Sequence, residues 1–175
     1  MDRLGGLHRL PGVVDLAPLT AAPRLRRLHL NRSTAADLTP VRELPVESLR
    51  VTLADGDLTS LEAHPHLTSV DLTTTAPVDI TPLRTIPHLR GLDLSGADVP
   101  NLSVLADLLD LRYLSLTARQ WTTLLTEAKV PPTLTAARLA DANTTLDDAL
   151  TWASRLGLHT ENAFRVTGTL KTAGE

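Results

Sequence analysis

Asp71 and Asp93 stand at the same place in two near-copies of one string, S-V-D-L at Ser69 to Leu72 and G-L-D-L at Gly91 to Leu94. Two carboxylates brought together can act as acid and base in hydrolysis. If the copies stack as neighbouring strands, their carboxyl groups lie roughly 5 Å apart. A hydrolase built on this pair is one reading, and a remote one, because an open sheet does nothing to exclude water. His64 and His66 flank Pro65 at a spacing that two metal ligands could use. A competent site needs three or four ligands, and no third is suggested nearby, so the expectation is a surface turn. Asp55-Gly56-Asp57 lacks the further oxygens of a calcium loop and reads as a turn.

Other chemistry is missing from the sequence. With no cysteine, thiol nucleophiles, zinc–thiolate sites and disulfides are excluded. The G-x-x-x-x-G-K phosphate loop, the G-x-S-x-G elbow and the H-E-x-x-H helix are all absent. The expectation is a chain without catalytic residues, metal or cofactor. A formal charge of -3 over 175 residues argues against a nucleic-acid binder. No segment approaches the uninterrupted apolar length of a membrane span. The N-terminal MDRLGGLHRLPG has no apolar run of signal-peptide length, and a cytoplasmic protein is expected.

The elements that would position these residues follow from a repeat. PHLRGLDLSGAD at Pro87 to Asp98 is echoed by PHLTSVDLTTTA at Pro65 and PRLRRLHLNRST at Pro23. Aligned on the last leucine of each L-x-x-L-x-L core, the anchors are Leu30, Leu53, Leu72, Leu94, Leu116 and Leu139, a step of about 22 residues. On this alignment the third copy is short by about three residues, taken from the segment around His64. The L-x-L portion has strand periodicity, so Leu92 and Leu94 point inward and the residues between the leucines face the other way. In the second half of each copy, apolar residues recur about every third position: Leu16, Leu19 and Ala22; Ile80, Leu83 and Ile86; Leu102, Leu105 and Leu108. That spacing suits a short helix or 3₁₀ turn. Pro18, Pro40 and Pro82 each precede an inward Leu or Val of this segment, where a short turn tolerates the fixed φ and a long α-helix interior would not. Neither half can bury its apolar side alone, and stacking of copies joins the leucines into one core.

This pattern resembles the leucine-rich repeat family across almost the whole chain, and is most similar to the short repeats of the internalin and SDS22-like class. VDITPL at Val78 to Leu83 and VDLAPL at Val14 to Leu19 resemble that class's D-I-x-P-L segment, and ADLTPV at Ala36 to Val41 is a weaker copy. The resemblance implies an α/β solenoid: a right-handed superhelix with a parallel concave β-sheet and short convex helical or 3₁₀ turns. The family's asparagine past the last leucine is missing; those positions hold Ser33, Gly56, Thr75, Ala97, Arg119 and Ala142. Serine and threonine are expected to satisfy part of the loop backbone instead, and water the rest.

Residues 1–142 read as the repeat array, about six copies with the first degenerate, and 143–175 as a C-terminal helix–strand cap of the same domain. NTTLDDALTWASRLG reads as a helix, N-capped by Asn143, Thr144 or Thr145, with Asp147 and Asp148 in its first turn and Gly157 at its end. Ala163 to Leu170 reads as a final strand. Leu4, Leu7 and Leu10 look like a degraded repeat with no cap. Either that small repeat suffices alone, or a preceding domain of a longer protein covers it. Trp121 falls at an inward phase of the repeat and is expected in the core. Trp152 lies at the edge of the cap helix's apolar face, as cap packing or as a docking edge.

On the concave sheet, equivalent positions stack into columns. The alignment gives His29, Thr52, Asp71, Asp93, Ser115 and Arg138 as one column, Arg27, Arg50, Ser69, Gly91, Tyr113 and Ala136 as the next, and Asn31, Ala54, Thr73, Ser95, Thr117 and Ala140 as a third. Arg27, His29 and Arg50 make a basic end, Asp71 and Asp93 an acidic centre, and Tyr113 the exposed aromatic. Stacked acids destabilise the sheet unless something compensates them. A flat protein or peptide partner suits this layout better than a small molecule. The expected binding residues are Arg27, His29, Asn31, Arg50, Thr52, Asp71, Thr73, Asp93, Tyr113 and Arg138. The function expected is non-catalytic recognition. The Ala-, Arg-, Leu- and Thr-rich usage resembles high-GC actinobacterial proteins, in which similar arrays form the C-terminal sensor regions of NACHT-type signalling ATPases. A free-standing scaffold or inhibitor is the alternative.

Overall fold

The computed structural model describes residues 12–127, 129–141 and 143–157, without the side chains of Asn31 and Arg32. Leu4, Leu7, Leu10 and the strand expected at 163–170 lie outside the described residues. The chain divides into two compact units between Asp141 and Ala142.

Among the described residues of the first unit, seven parallel strands follow one another across a sheet in chain order. They are β1 (Val13–Val14), β2 (Arg27–Ala35), β3 (Ser48–Leu53), β4 (Ser69–Pro77), β5 (Gly91–Asp98), β6 (Tyr113–Leu116) and β7 (Ala136–Leu139). Five 3₁₀ turns return the chain between them: Ala17–Ala21, Thr39–Val41, Thr59–Leu61, Thr81–Thr85 and Leu102–Asp107. The alternation expected of L-x-L holds, with Leu49, Val51, Leu72, Leu92, Leu94, Leu114 and Leu116 all at most 1% exposed. From the convex side come Leu38, Val41 and Leu44; Ile80, Leu83 and Ile86; and Leu102, Leu105 and Leu108, all buried. Together they make one aliphatic core between sheet and turns.

The convex turns form as they do because of a short local motif. The short turns at Ala17–Ala21, Thr39–Val41 and Thr81–Thr85 hold the prolines, as expected, and place them in their first positions. Two residues before each, an aspartate folds back: Asp37 Oδ1 accepts from the Thr39 N–H at 2.8 Å and from its hydroxyl at 2.7 Å. Asp57 does the same to Thr59, and Asp15 and Asp79 accept from the backbone of Ala17 and Thr81. These side chains satisfy the free N–H groups that a short turn exposes. The N–H and hydroxyl of Thr39 hold the Asp37 carboxyl below the usual aspartate range, and the hydroxyl and N–H of Thr81 do the same for Asp79. Asp55 accepts from the Asp57 N–H at 3.2 Å, so the Asp-Gly-Asp string is a turn.

The third repeat corrects the sequence alignment. His29 pairs with Arg50, Arg50 with Asp71, and Val51 with Leu72. The anchor is therefore Val51 and not Leu53, and the third copy is not shortened. The surplus residues lie in β2, whose register slips between His29 and Thr34. Leu49, Val51 and Leu53 are all buried, so the string offered two alternating frames. A β-branched valine fills the inward slot as well as a leucine.

The missing asparagines are replaced by several devices on that edge. Backbone pairing continues past the strands, with the Val78 N–H donating to Asp98 O at 2.8 Å. The Thr75 hydroxyl donates to Ala54 O, and Gln120 Nε2 donates to Leu94 O and Ala97 O at 3.0 and 2.8 Å. Gln120 belongs to a helix that the sequence reading missed, α1 (Ala118–Glu127). Thr117 and Gln120 form a reciprocal capping pair, in which each side chain accepts from the other's N–H. Trp121 on α1 is 1% exposed, as expected of a core residue, and its indole donates to Arg138 O at 2.8 Å.

In the second unit, α2 (Leu146–Arg155) begins at Thr145, one of the three expected caps. Thr145 and Asp148 close a capping box, and Gly157 takes φ +74°, the left-handed conformation suited to a helix end.

Candidate concave binding groove

The register places six residues in one column across the sheet: His29, Arg50, Asp71, Asp93, Ser115 and Arg138. The neighbouring column is Arg27, Ser48, Ser69, Gly91, Tyr113 and Ala136. Arg50 thus moves from the second column into the first, and Thr52 leaves it to pair with Thr73. Ser95 leaves its expected column as well, since Thr73 pairs with Gly96. Asp93 Oδ1 accepts from the Ser95 N–H at 3.0 Å and its hydroxyl at 2.6 Å, which bends β5 at that point. The Asn31 side chain lies outside the described residues.

The corrected register changes the electrostatics. Stacked acids were expected to need compensation, and each has an arginine. Arg50 Nε meets Asp71 Oδ2 at 2.5 Å, and Arg138 Nη1 reaches back across β6 to within 3.7 Å of Asp93 Oδ2. The acids sit low, with side chains 28% and 17% exposed, while the two arginines are 56% and 61% exposed. Guanidinium groups therefore arch over a floor of carboxylates. Ser115 lies between Asp93 and Arg138 in this column and is fully buried, and its hydroxyl has no hydrogen-bond partner among the described residues.

Small residues give the face its depth. Ser48, Ser69 and Gly91 run beside the charged column, and a Cβ added at Gly91 would stand 3.3 Å from Ser69 Oγ. The result is a groove of about 180 Å³ walled by His29, Arg50, Asp71, Asp93, Tyr113 and Arg138. Tyr113 is half-buried and Arg27 exposed. His29 Nε2 lies 3.1 Å from Ser48 Oγ. A larger open groove, about 600 Å³, lies at the loop edge between β5 and α1. Its Thr117 and Gln120 are committed to capping and to loop carbonyls, so the concave groove is the better candidate.

Burial separates the two histidines. His64 is 1% exposed, which corrects the expected surface turn, while His66 is exposed. His64 takes the third inward place of its convex turn, after Leu58 and Leu61, where the neighbouring turns have Leu44 and Ile86. No group of three acidic or imidazole side chains converges among the described residues. Trp152, the expected docking edge, is half-buried on α2. No helix of the described residues is long and apolar enough to cross a membrane.

No family model matches this sequence, and no curated protein does. Among solved structures, the chain is similar to an internalin (inlF) from Listeria monocytogenes, with a TM-score of 0.54 and 22% identity over 79% of this chain. The match spans 42% of that internalin chain. At that identity the likeness is one of fold: an internalin-like leucine-rich repeat solenoid, with its parallel sheet and short 3₁₀ returns.

Proposed function

We propose that this chain is a non-catalytic recognition module that binds a segment of another protein, or a peptide, along the concave groove. The observation that carries the proposal is the charged column, in which two low-lying acids, Asp71 and Asp93, are bracketed by the outer arginines Arg50 and Arg138 along a groove flanked by serine and glycine. Such a surface discriminates partners by charge order and contributes little to folding. Arg27, His29, Asn31, Arg50, Thr52, Asp71, Thr73, Asp93, Tyr113 and Arg138 make up the proposed contact set. Tyr113 is its aromatic anchor, of a kind enriched where binding energy concentrates.

Hydrolysis by Asp71 and Asp93 is disfavoured. Each carboxylate is engaged by a guanidinium, and the groove is open to solvent. Site-specific photo-crosslinking in the native host tests the reading. A crosslinker at Tyr113 should capture a partner that a crosslinker at Arg84, on the convex side, does not. Equal capture from both positions would remove the concave assignment. A narrower reading is the sensor region of a cytoplasmic, actinobacterial NACHT-type ATPase, with an N-terminal domain of the parent protein as a further partner. It is supported by composition and repeat type. A reading frame that runs upstream into a P-loop domain would support it, and one that does not would favour a free-standing scaffold or inhibitor.

A further inference from the structure

His64 occupies a core position that its neighbouring repeats fill with Leu44 and Ile86. It is brought there by Ala63, whose φ of 53° is left-handed. An alanine holds that conformation only when surrounding contacts fix it. Those contacts join three successive convex turns. The Ala63 N–H donates to Thr85 Oγ1 at 2.7 Å in the following turn, and His64 Nε2 lies 3.2 Å from Val41 O in the preceding one.

The partners of the ring define its protonation state. A carbonyl can only accept, so Nε2 carries the proton and donates to Val41 O. The His66 N–H points at Nδ1 from 3.4 Å, so Nδ1 presents its lone pair. A second proton, on Nδ1, would face that N–H and place a charge inside the aliphatic core, a cost that backbone hydrogen bonds with Val41, Leu44 and His64 offset only in part. The titratable groups on the surrounding elements are Arg42 and Glu43, Glu62 and His66, and Arg84, all solvent-exposed. Of these, only His66 acts on the ring through charge, from 6.3 Å between centroids, and it opposes protonation.

We infer that His64 is a pH-sensitive latch between the convex turn that follows β3 and the one that precedes it, closed when its ring is neutral and released when it takes a second proton. The two turns it joins flank β3, the strand that carries Arg50. Burial pushes the His64 imidazole below its ordinary value, in agreement with the geometry. The sign follows from linkage. The unfolded chain takes the proton near the ordinary histidine pKa of about 6.5, and the folded chain resists it. The contribution is therefore complete above about pH 6.5 and is lost as pH falls below it, by up to about tenfold in the folding equilibrium constant per pH unit.

The experiment is denaturant unfolding of the full chain at pH 8, 7, 6 and 5, for wild type, His64→Gln and His66→Gln. Glutamine keeps a donor within reach of Val41 O and cannot take the proton. Below pH 6.5 the wild-type equilibrium constant should fall up to about tenfold per unit relative to His64→Gln, with His66→Gln tracking wild type. An unchanged pH slope in His64→Gln would overturn the latch. If that variant fails to fold, the wild-type His64 ring resonances decide. A midpoint below 6.5, with the Ala63 and His66 amides exchanging faster on acidification relative to those of β5, supports the proposal, and an ordinary or raised midpoint overturns it.

Discussion

On the convex side the first four turns repeat one another: Asp15, Asp37, Asp57 and Asp79 recur at the same place, and each folds back on the turn it opens. On the concave side the column changes at every strand, from His29 through Arg50, Asp71, Asp93 and Ser115 to Arg138, and its bonds run between strands. A side chain that every repeat needs for its own geometry must recur with the period. One that no repeat needs is free to vary, and variation along a groove is what lets a solenoid distinguish partners. On this account the periodic residues carry stability and the aperiodic ones recognition.

The largest effect should come from the core that both sides share. Leu92 and Leu114 are 0% exposed, and Leu→Ala at either should cost about 2–5 kcal/mol in denaturant unfolding. Next comes the loop edge. Gln120→Ala strips the Leu94 and Ala97 carbonyls of their side-chain donor and should cost about 1–3 kcal/mol, with backbone exchange rising at the β5 end. A smaller effect is expected from the convex caps. Asp79→Ala should lower the melting temperature at pH 7 and flatten the acid limb. The Asp79 carboxyl is held below its usual range when folded, so its contribution is present above about pH 4 and lost as pH falls through and below that value. If Asp79→Ala left both unchanged, the recurring aspartate would not be a stability device.

The smallest stability effect should be on the concave face. Arg50→Ala breaks an ion pair whose arginine is 56% exposed, and should change stability by roughly 0–1 kcal/mol while weakening partner binding. A large loss of stability there would blur the division between the two sides.

The same division explains what the sequence disclosed. Leucine period, turn prolines and the Thr145 cap were legible because each acts through local spacing. The concave residues were legible as a set, since a strand's outward positions follow from its inward ones. Their pairing was not, because it depends on register between strands. The S-L-R-V-T-L string of β3 offered two frames, and preference for leucine over valine selected the wrong one. That choice separated Arg50 from Asp71 and turned His64 outward. The Leu58, Leu61, His64 phase was the signal that would have corrected both. The helix α1 was announced by Thr117-Ala-Arg-Gln120, a capping-box pattern hidden behind the expectation of another 3₁₀ turn.

The most direct test of recognition by the concave column is a pair of charge exchanges, measured against the partner captured through Tyr113. Arg50→Asp with Asp71→Arg reverses the concave pair while keeping opposite charges in contact. Arg84→Asp with Asp107→Arg does the same to a convex pair that stands 3.3 Å apart. Both double variants should fold with near wild-type stability. Calorimetric titration should then show binding weakened at least about tenfold by the concave exchange and unchanged by the convex one. Unchanged binding after the concave exchange, or loss after the convex one, would contradict the account.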